Sequence, residues 1–421
     1  MKIYAVGGSI RDSLLNRESY DNDYVVVGST IGEMLNAGFK QVGKEFPVFL
    51  HPITGEEYAL ARKEVSTGKG YTDFKFEFGS DITLQEDLER RDFTMNALAK
   101  DMETNEIIDY FHGKQDIENK LIRHVNSEHF TEDPLRVLRA CRFSAQLDFM
   151  IHSDTIILCR QMARLGMLSH LTEERVWKEI EKALSTSNFD LFLHYLELCN
   201  AIQIILPEIF ILSDVPEALN WHPEGNVFAH TMLCYRALKS HFKKLRGHDL
   251  ALVNFGILCH DLGKQLTDKE KWPSHHGHDV LGPEIVERLC ARLKVPNEFR
   301  DFGKICCKYH MKLYTFLDMS LKKQYDMINE ITKFKDRKFL DLLLKVHICD
   351  LFGKKRPCTD DEVQYCINTI SRINIIYSIL HNIGLEQLPK DKQEMLSKFE
   401  GKKFGELYRA EKIDYLRKHL K

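Results

Sequence analysis

The stretch VGGSIRDSLLNRESYDNDYVVVGST, Val6 to Thr30, sets a Gly-Gly pair and an Arg-Asp pair ahead of two acids, Asp21 and Asp23, that lead into a run of valines. The valines read as a buried strand, and residues two apart on a strand point to one face. Asp21 and Asp23 therefore present both carboxylates together at the strand's entry. Two acids so close repel unless a cation sits between them, and hard oxygen ligands favour Mg²⁺. Carboxylate-held metals can activate an attacking hydroxyl and stabilise a leaving pyrophosphate, which is the chemistry of nucleotidyl transfer. Gly7 and Gly8 would let backbone N–H groups approach a triphosphate, and Arg11 would add a charge-assisted fork to phosphate. For an Asp-x-Asp alone, the plain alternative is a solvated turn.

A second group of residues suits a different chemistry. His230, the adjacent pair His260-Asp261, the cluster His275, His276 and His278, and Asp350 lie along a region of helical pattern. Imidazole plus carboxylate suits a transition metal such as Ni²⁺, Co²⁺ or Mn²⁺ and can generate a metal-bound hydroxide near neutral pH. His275, His276 and His278 either bind metal or phosphate or form a charged loop.

These residues need elements to position them. The first 120 or so residues mix strands, expected at Lys2–Val6, Tyr24–Gly28, Phe46–His51, Glu57–Arg62 and Glu106–Phe111, with helices, expected at Arg11–Leu15, Thr30–Asn36 and Leu84–Ala99. The Gly-, Lys- and Thr-rich segment from about Lys63 to Asp81 reads as a long loop. From about residue 120 the pattern is helical throughout, with Pro134 suited to a first turn and no strand-like alternation returning. Pro216, Pro223 and Gly225 interrupt it and mark a boundary. The fold class is therefore α+β: a mixed N-terminal sheet with helices, then an all-α remainder.

With 421 residues, 43% apolar and 29% charged, the chain is ordinary globular material with room for two to four domains. No apolar run reaches about 18 residues, so no membrane span is expected. The chain opens on a strand-like run, so no signal peptide is expected. Its eleven cysteines, all after residue 140, lack CxxC spacing, which suits reduced thiols in the cytoplasm. The net charge of −3 does not advertise nucleic-acid binding, although Lys239–His248 and Gly401–Lys421 are locally basic.

Four motifs, GGSIRD, DNDYVVVGS, RRDFTMNALAKD (90–101) and EDPLRVLRACRF (132–143), together resemble the class II tRNA nucleotidyltransferases, the CCA-adding enzymes. HDLGK, with His230 upstream and Asp350 downstream, extends the resemblance to bacterial members carrying an HD domain. The resemblance implies a palm-like nucleotidyltransferase head (1–120), a helical neck and body (121–221), an HD metal-dependent phosphohydrolase domain (222–351) and a helical tail (352–421). It places Gly8 and Arg11 at the triphosphate, Asp21 and Asp23 on Mg²⁺, and Arg91 on the nucleotide. Asp133 and Arg136 would read the incoming base of CTP or ATP, with Arg139 and Arg142 as further nucleotide contacts. His230, His260, Asp261 and Asp350 would hold Ni²⁺ or another transition metal. Asp21, Asp23, His260 and Asp261 would be catalytic.

The residues of 133–142 agree, since they recur about every three positions on a helix, and an acid with a guanidinium can satisfy the Watson–Crick edge of C or A. Glu57 is the candidate third carboxylate. The implied activities are template-independent addition and repair of the tRNA 3′-terminal CCA, plus HD-domain 2′,3′-cyclic phosphodiesterase, 2′-nucleotidase and phosphatase reactions. The implied partners are tRNA, CTP and ATP, with no membrane, in a monomer or homodimer. The rivals are an A-adding, CC-adding or poly(A) polymerase relative, or a metal phosphohydrolase whose N-terminal half is a regulatory nucleotide-binding module.

Overall fold

The structure is a computed structural model describing residues 1–18, 22–42, 47–66 and 74–419. The chain divides into two compact units, Met1–Ala183 with Leu191–Ile205, and Leu184–Asp190 with Leu206–Lys421.

The first unit is built on a seven-stranded sheet in the order β3-β4-β5-β2-β1-β8-β9. Its strands are β1 (Lys2–Val6), β2 (Asp23–Val27), β3 (Lys40–Gln41), β4 (Val48–Leu50), β5 (Glu57–Leu60), β8 (Leu98–Asp101) and β9 (Ile107–Asp109). Only β2 and β5 pair in parallel; the other neighbours are antiparallel. Val6, Val25, Leu84, Leu88, Ala97 and Ala99 form one core cluster beneath it. Thr30 with Glu33, and Thr83 with Glu86, form reciprocal capping boxes that start the helices Ile31–Asn36 and Leu84–Glu89.

Three expectations are corrected here. The segment expected as a long loop contributes β6 (Arg62–Ser66) and β7 (Phe74–Phe78), an antiparallel pair. The alternating FKFEF supplies the strand period that its Gly- and Lys-rich surroundings obscure. The helix expected over Leu84–Ala99 stops at Glu89, and β8 follows. Leu98–Asp101 gains ladder partners on both sides, β1 and β9, so tertiary pairing overrides a helical apolar spacing. Short strands also return after residue 120, where β10 (Leu121–Ile122) pairs in parallel with β11 (Met150–Ile151).

The second unit is helical. Val227–His241, Gly247–Cys259, His278–Leu293, Asn297–Leu313 and Arg337–Phe352 surround aromatic contacts such as Phe255 on Phe299 and Phe302 on Phe339. Asp360–Asn382 and Gly401–His419 follow. All eleven cysteines are free, and all but Cys358 are buried. Among the described residues no helix is long and apolar enough to cross a membrane.

Candidate active sites

In the first unit, Asp23 opens β2 and is exposed. The parallel register sets it directly beside Glu57, the exposed first residue of β5. In-register neighbours point to the same face of a sheet, so these two carboxylates share one. Asp21 lies outside the described residues.

Gly7 turns the chain from β1 into the helix Gly8–Leu14 at φ 78°, a conformation that favours glycine. A Cβ there would come within 3.1 Å of Arg91 Nη1, so the guanidinium rests against the Gly-Gly turn. Arg11 is buried, donating to Asp12 and, at 2.7 Å, to Asn96 Oδ1. Asn96 in turn donates to Asp92, which also accepts Arg139 at 2.8 and 2.5 Å. Burial would raise the Asp92 carboxyl, but the Arg139 charge and the Asn96 hydrogen bond leave it below the usual carboxylate range. Arg11, Arg139 and Arg142 all lie over the Phe143 ring, at 5.1, 5.5 and 3.8 Å.

The helix Leu135–Leu147 thus carries several of the predicted residues, but they engage different partners. Arg136 donates to the carbonyls of His129 and Arg90 at 2.6 and 2.7 Å, tying the helix start to the RRD segment. Asp133 accepts Arg175, and Arg142 binds Glu179 at 2.5 Å, both on the helix Glu173–Leu184. The Arg142–Glu179 pair is nearly solvent-free on both sides. Sequence reading missed Asn96, Arg175 and Glu179. Only Arg175 and Glu179 carried a local signal, an i,i+4 pairing in EERVWKEIEK.

In the second unit, His230, His260, Asp261 and Asp350 do converge. His230 Nε2 is 3.0 Å from Asp350 Oδ1, and His260 Nε2 is 3.2 Å from Asp261 Oδ2. His278 and His310 join them, with Nε2 atoms 3.4 and 3.3 Å from Asp261 Oδ1. His260-Asp261 sits where the helix Gly247–Cys259 ends, as expected. Gly263 of HDLGK explains the tight approach of the next wall. A Cβ on it would fall 1.9 Å from the carbonyl oxygen of His278 and 2.7 Å from Gly282 N.

The second ring nitrogens settle which atoms face inward. His260 Nδ1 meets the carbonyl of Ile257, His278 Nδ1 that of His275, and His310 Nδ1 those of Cys306 and Cys307. A carbonyl only accepts, so each Nδ1 carries the proton and each Nε2 offers a lone pair to the cluster. His230 Nδ1 lies 3.2 Å from the Glu224 carboxylate, which fixes its ring in the same sense. His260 Nε2 and Asp261 Oδ1 are buried without a hydrogen-bond partner. Buried donor atoms left without a partner fit a bound divalent cation. Donor sets of this kind, His230, Cys234, His260 and Asp350, and Asp261, His278 and His310, each lie within 4.8 Å.

Burial pushes His278 down to about 4. Burial would lower His310 too, but its hydrogen bond to Asp261 and that carboxylate's charge raise it. Burial would raise Glu224, but hydrogen bonds with His230 and His222 hold it at about 2. Lys264 neutralises Asp261 and Glu217 at 2.8 and 2.6 Å. His275 instead binds Thr267 and the Pro216 carbonyl, and His276 is exposed. Sequence reading missed His310, Glu224 and Lys264 as members of the site.

Residues 3–123 match the poly A polymerase head domain, 148–212 the probable RNA and SrmB-binding site of polymerase A, and 227–334 the HD domain. Among solved structures, the fold matches a tRNA-processing enzyme complex at 24% identity and TM-score 0.61, covering 98% of this chain and 96% of that one. It also matches a CCA-adding enzyme with ATP at 20% identity and TM-score 0.63, covering 98% and 85%. A Thermotoga maritima CCA-adding enzyme complexed with tRNA matches at 19% and TM-score 0.62, covering 99% and 87%.

Proposed function

We propose, for a chain that joins a poly A polymerase head domain to an HD domain within the fold of CCA-adding enzymes, that it adds and repairs the 3′-terminal CCA of tRNA from CTP and ATP. The observation that carries this is the carboxylate pair of Asp23 and Glu57 at neighbouring strand starts in the head whose Gly7 turn holds Arg91. Asp23, with Asp21 and Glu57, would hold Mg²⁺, which when bound neutralises charge on the transferring phosphoryl group. Arg11 and Arg91 would meet the triphosphate beside Gly8. Asp133 and Arg136 would read the base, which requires exchanging Arg175 and the two carbonyls for the nucleotide's edge. Arg139, on Asp92, and Arg142, on Glu179, would hold the base-reading helix in place. The fourfold division at residues 120, 221 and 351 belongs to this reading, as does a cytoplasmic location.

The test offers tRNA transcripts ending before CCA, before the final A, or complete, with labelled CTP or ATP. Successive C, C and A incorporation, with none on complete tRNA, is the expected result. Incorporation of A alone, of C alone, or of an A tail would install a rival polymerase instead.

The inward Nε2 atoms favour a second reaction in the HD domain, hydrolysis of phosphoesters including 2′,3′-cyclic nucleotides. His230, His260, Asp261 and Asp350 would hold Ni²⁺ or another transition metal, which supplies an activated water when bound. Metal-loaded protein should open 2′,3′-cyclic AMP, and failure with each of Ni²⁺, Co²⁺, Mn²⁺ and Mg²⁺ would remove this half of the reading.

A further inference from the structure

The recess above the histidine cluster has a rim that phosphoester hydrolysis alone leaves without a task. Buried Asp261, His310 and Asp350 line its depth, while Trp221 and Lys354 line it nearer to solvent. Its volume is about 220 Å³, less than the ~300 Å³ at which sites enclosing a whole small molecule begin. A phosphate and a ribose fill such a space. A nucleobase attached to them is left at the rim.

Trp221 is the side chain waiting there. It is 55% exposed, an unusual state for indole beside a polar site. It is also braced, because the Arg356 guanidinium lies 5.1 Å from its ring and is itself held by Glu362 at 2.9 and 2.5 Å. A braced indole gives a base a stacking surface at little ordering cost, and stacking tolerates any base. Lys354 lies over the Tyr314 ring at 5.4 Å and makes no ion pair among the described residues, so its ammonium is available to a phosphate oxygen.

We propose that the HD recess takes a ribonucleoside phosphoester, with the phosphate at the histidine–aspartate cluster, Lys354 on a phosphate oxygen and the base stacked on Trp221. This rests on the hydrolytic reading of the HD domain. With a 2′,3′-cyclic phosphate, the oxygen of water joins phosphorus, one P–O bond to the ribose breaks, and the released ribose oxygen takes the proton.

The experiment compares metal-loaded wild type with Trp221→Ala on 2′,3′-cyclic AMP and on glycerol 1,2-cyclic phosphate, which has the same reacting group without a base. Trp221→Ala should raise KM for the cyclic nucleotide on the order of tenfold, with kcat changed little and KM for the glycerol ester moved far less. In parallel, 2′,3′-cyclic AMP should quench tryptophan emission in wild type and not in Trp221→Phe, a readout independent of turnover. An oligoribonucleotide ending in a 2′,3′-cyclic phosphate separates the sources: a lower KM than the free nucleotide assigns an RNA end, a higher one a mononucleotide. Equal KM changes for both esters, or hydrolysis without quenching, overturn the role of Trp221 alone. Absence of hydrolysis with every metal removes the hydrolytic reading, and the inference with it.

Discussion

The two candidate sites are assembled on opposite plans. In the head, the acids Asp23 and Glu57 are exposed at strand starts, and the arginines nearby are engaged by protein acids and carbonyls. In the second unit, His230, His260, Asp261, His310 and Asp350 are all buried, and the second nitrogen of each imidazole is fixed by a carbonyl or carboxylate. The difference follows the cations expected. Mg²⁺ keeps its waters and is completed by substrate phosphates, so a few open carboxylates suffice. A transition metal on imidazoles is held by the protein itself, and its ligands must be oriented before it arrives.

The largest effect should come from removing one plan at a time. Asp23→Ala should reduce CMP and AMP incorporation to the level of a no-enzyme control while hydrolysis of 2′,3′-cyclic AMP continues; Asp261→Ala should do the reverse. Circular dichroism of both variants keeps folding out of the comparison. Loss of both reactions in either folded variant would mean the two sites are one.

Next in size is a stability effect within the head. Arg142→Ala leaves Glu179 buried without its cation, which should cost about 3–5 kcal/mol. A thermal melt should show this loss, and Arg142→Ala/Glu179→Gln should recover part of it. An unchanged melting temperature with altered nucleotide choice would make Arg142 a substrate contact instead.

Smaller effects sharpen the contrast in preorganisation. Glu224→Gln should weaken Ni²⁺ binding by ~10–100-fold in a calorimetric titration, because the His230 ring loses its carboxylate. Asp133→Ala should lower discrimination of CTP and ATP against UTP and GTP by about 1–3 kcal/mol, by analogy with base readout in nucleic acids. An equal rate loss with all four nucleotides would deny it that role.

The smallest effect is one of pH. Glu362, at about 2, is held down by the Arg356 hydrogen bonds although burial opposes them. Its folded pKa lies below the unfolded value, so the unfolded chain binds the proton first. The pair's contribution is present above about pH 4.5 and fades as pH falls toward about 2. Melting temperatures of wild type and Glu362→Gln should therefore converge between pH 5 and pH 3.

Much of both sites was legible because their residues are contiguous in sequence or rigidly spaced. Gly-Gly-x-x-Arg and His-Asp-x-Gly-Lys each lie on one turn, and a turn's chemistry is local. Glu224, His310 and Asn96 were not legible, since each acts only through residues brought to it by packing; Arg11 and Asn96 are 85 positions apart. β8 was misread for a related reason. Its apolar spacing suited a helix, and only the unpaired edges of β1 and β9 make it a strand.

Gly263 carries a consequence for how the HD cluster tolerates change. The turn after Asp261 touches the backbone of the His278–Leu293 helix without any side chain between them. The gap between Asp261 and His278 is therefore gauged by main chain, as a fixed spacer sets the bore of a fitting. A single methyl at position 263 would widen the fitting at once, leaving every ligand in the sequence and the cluster out of true.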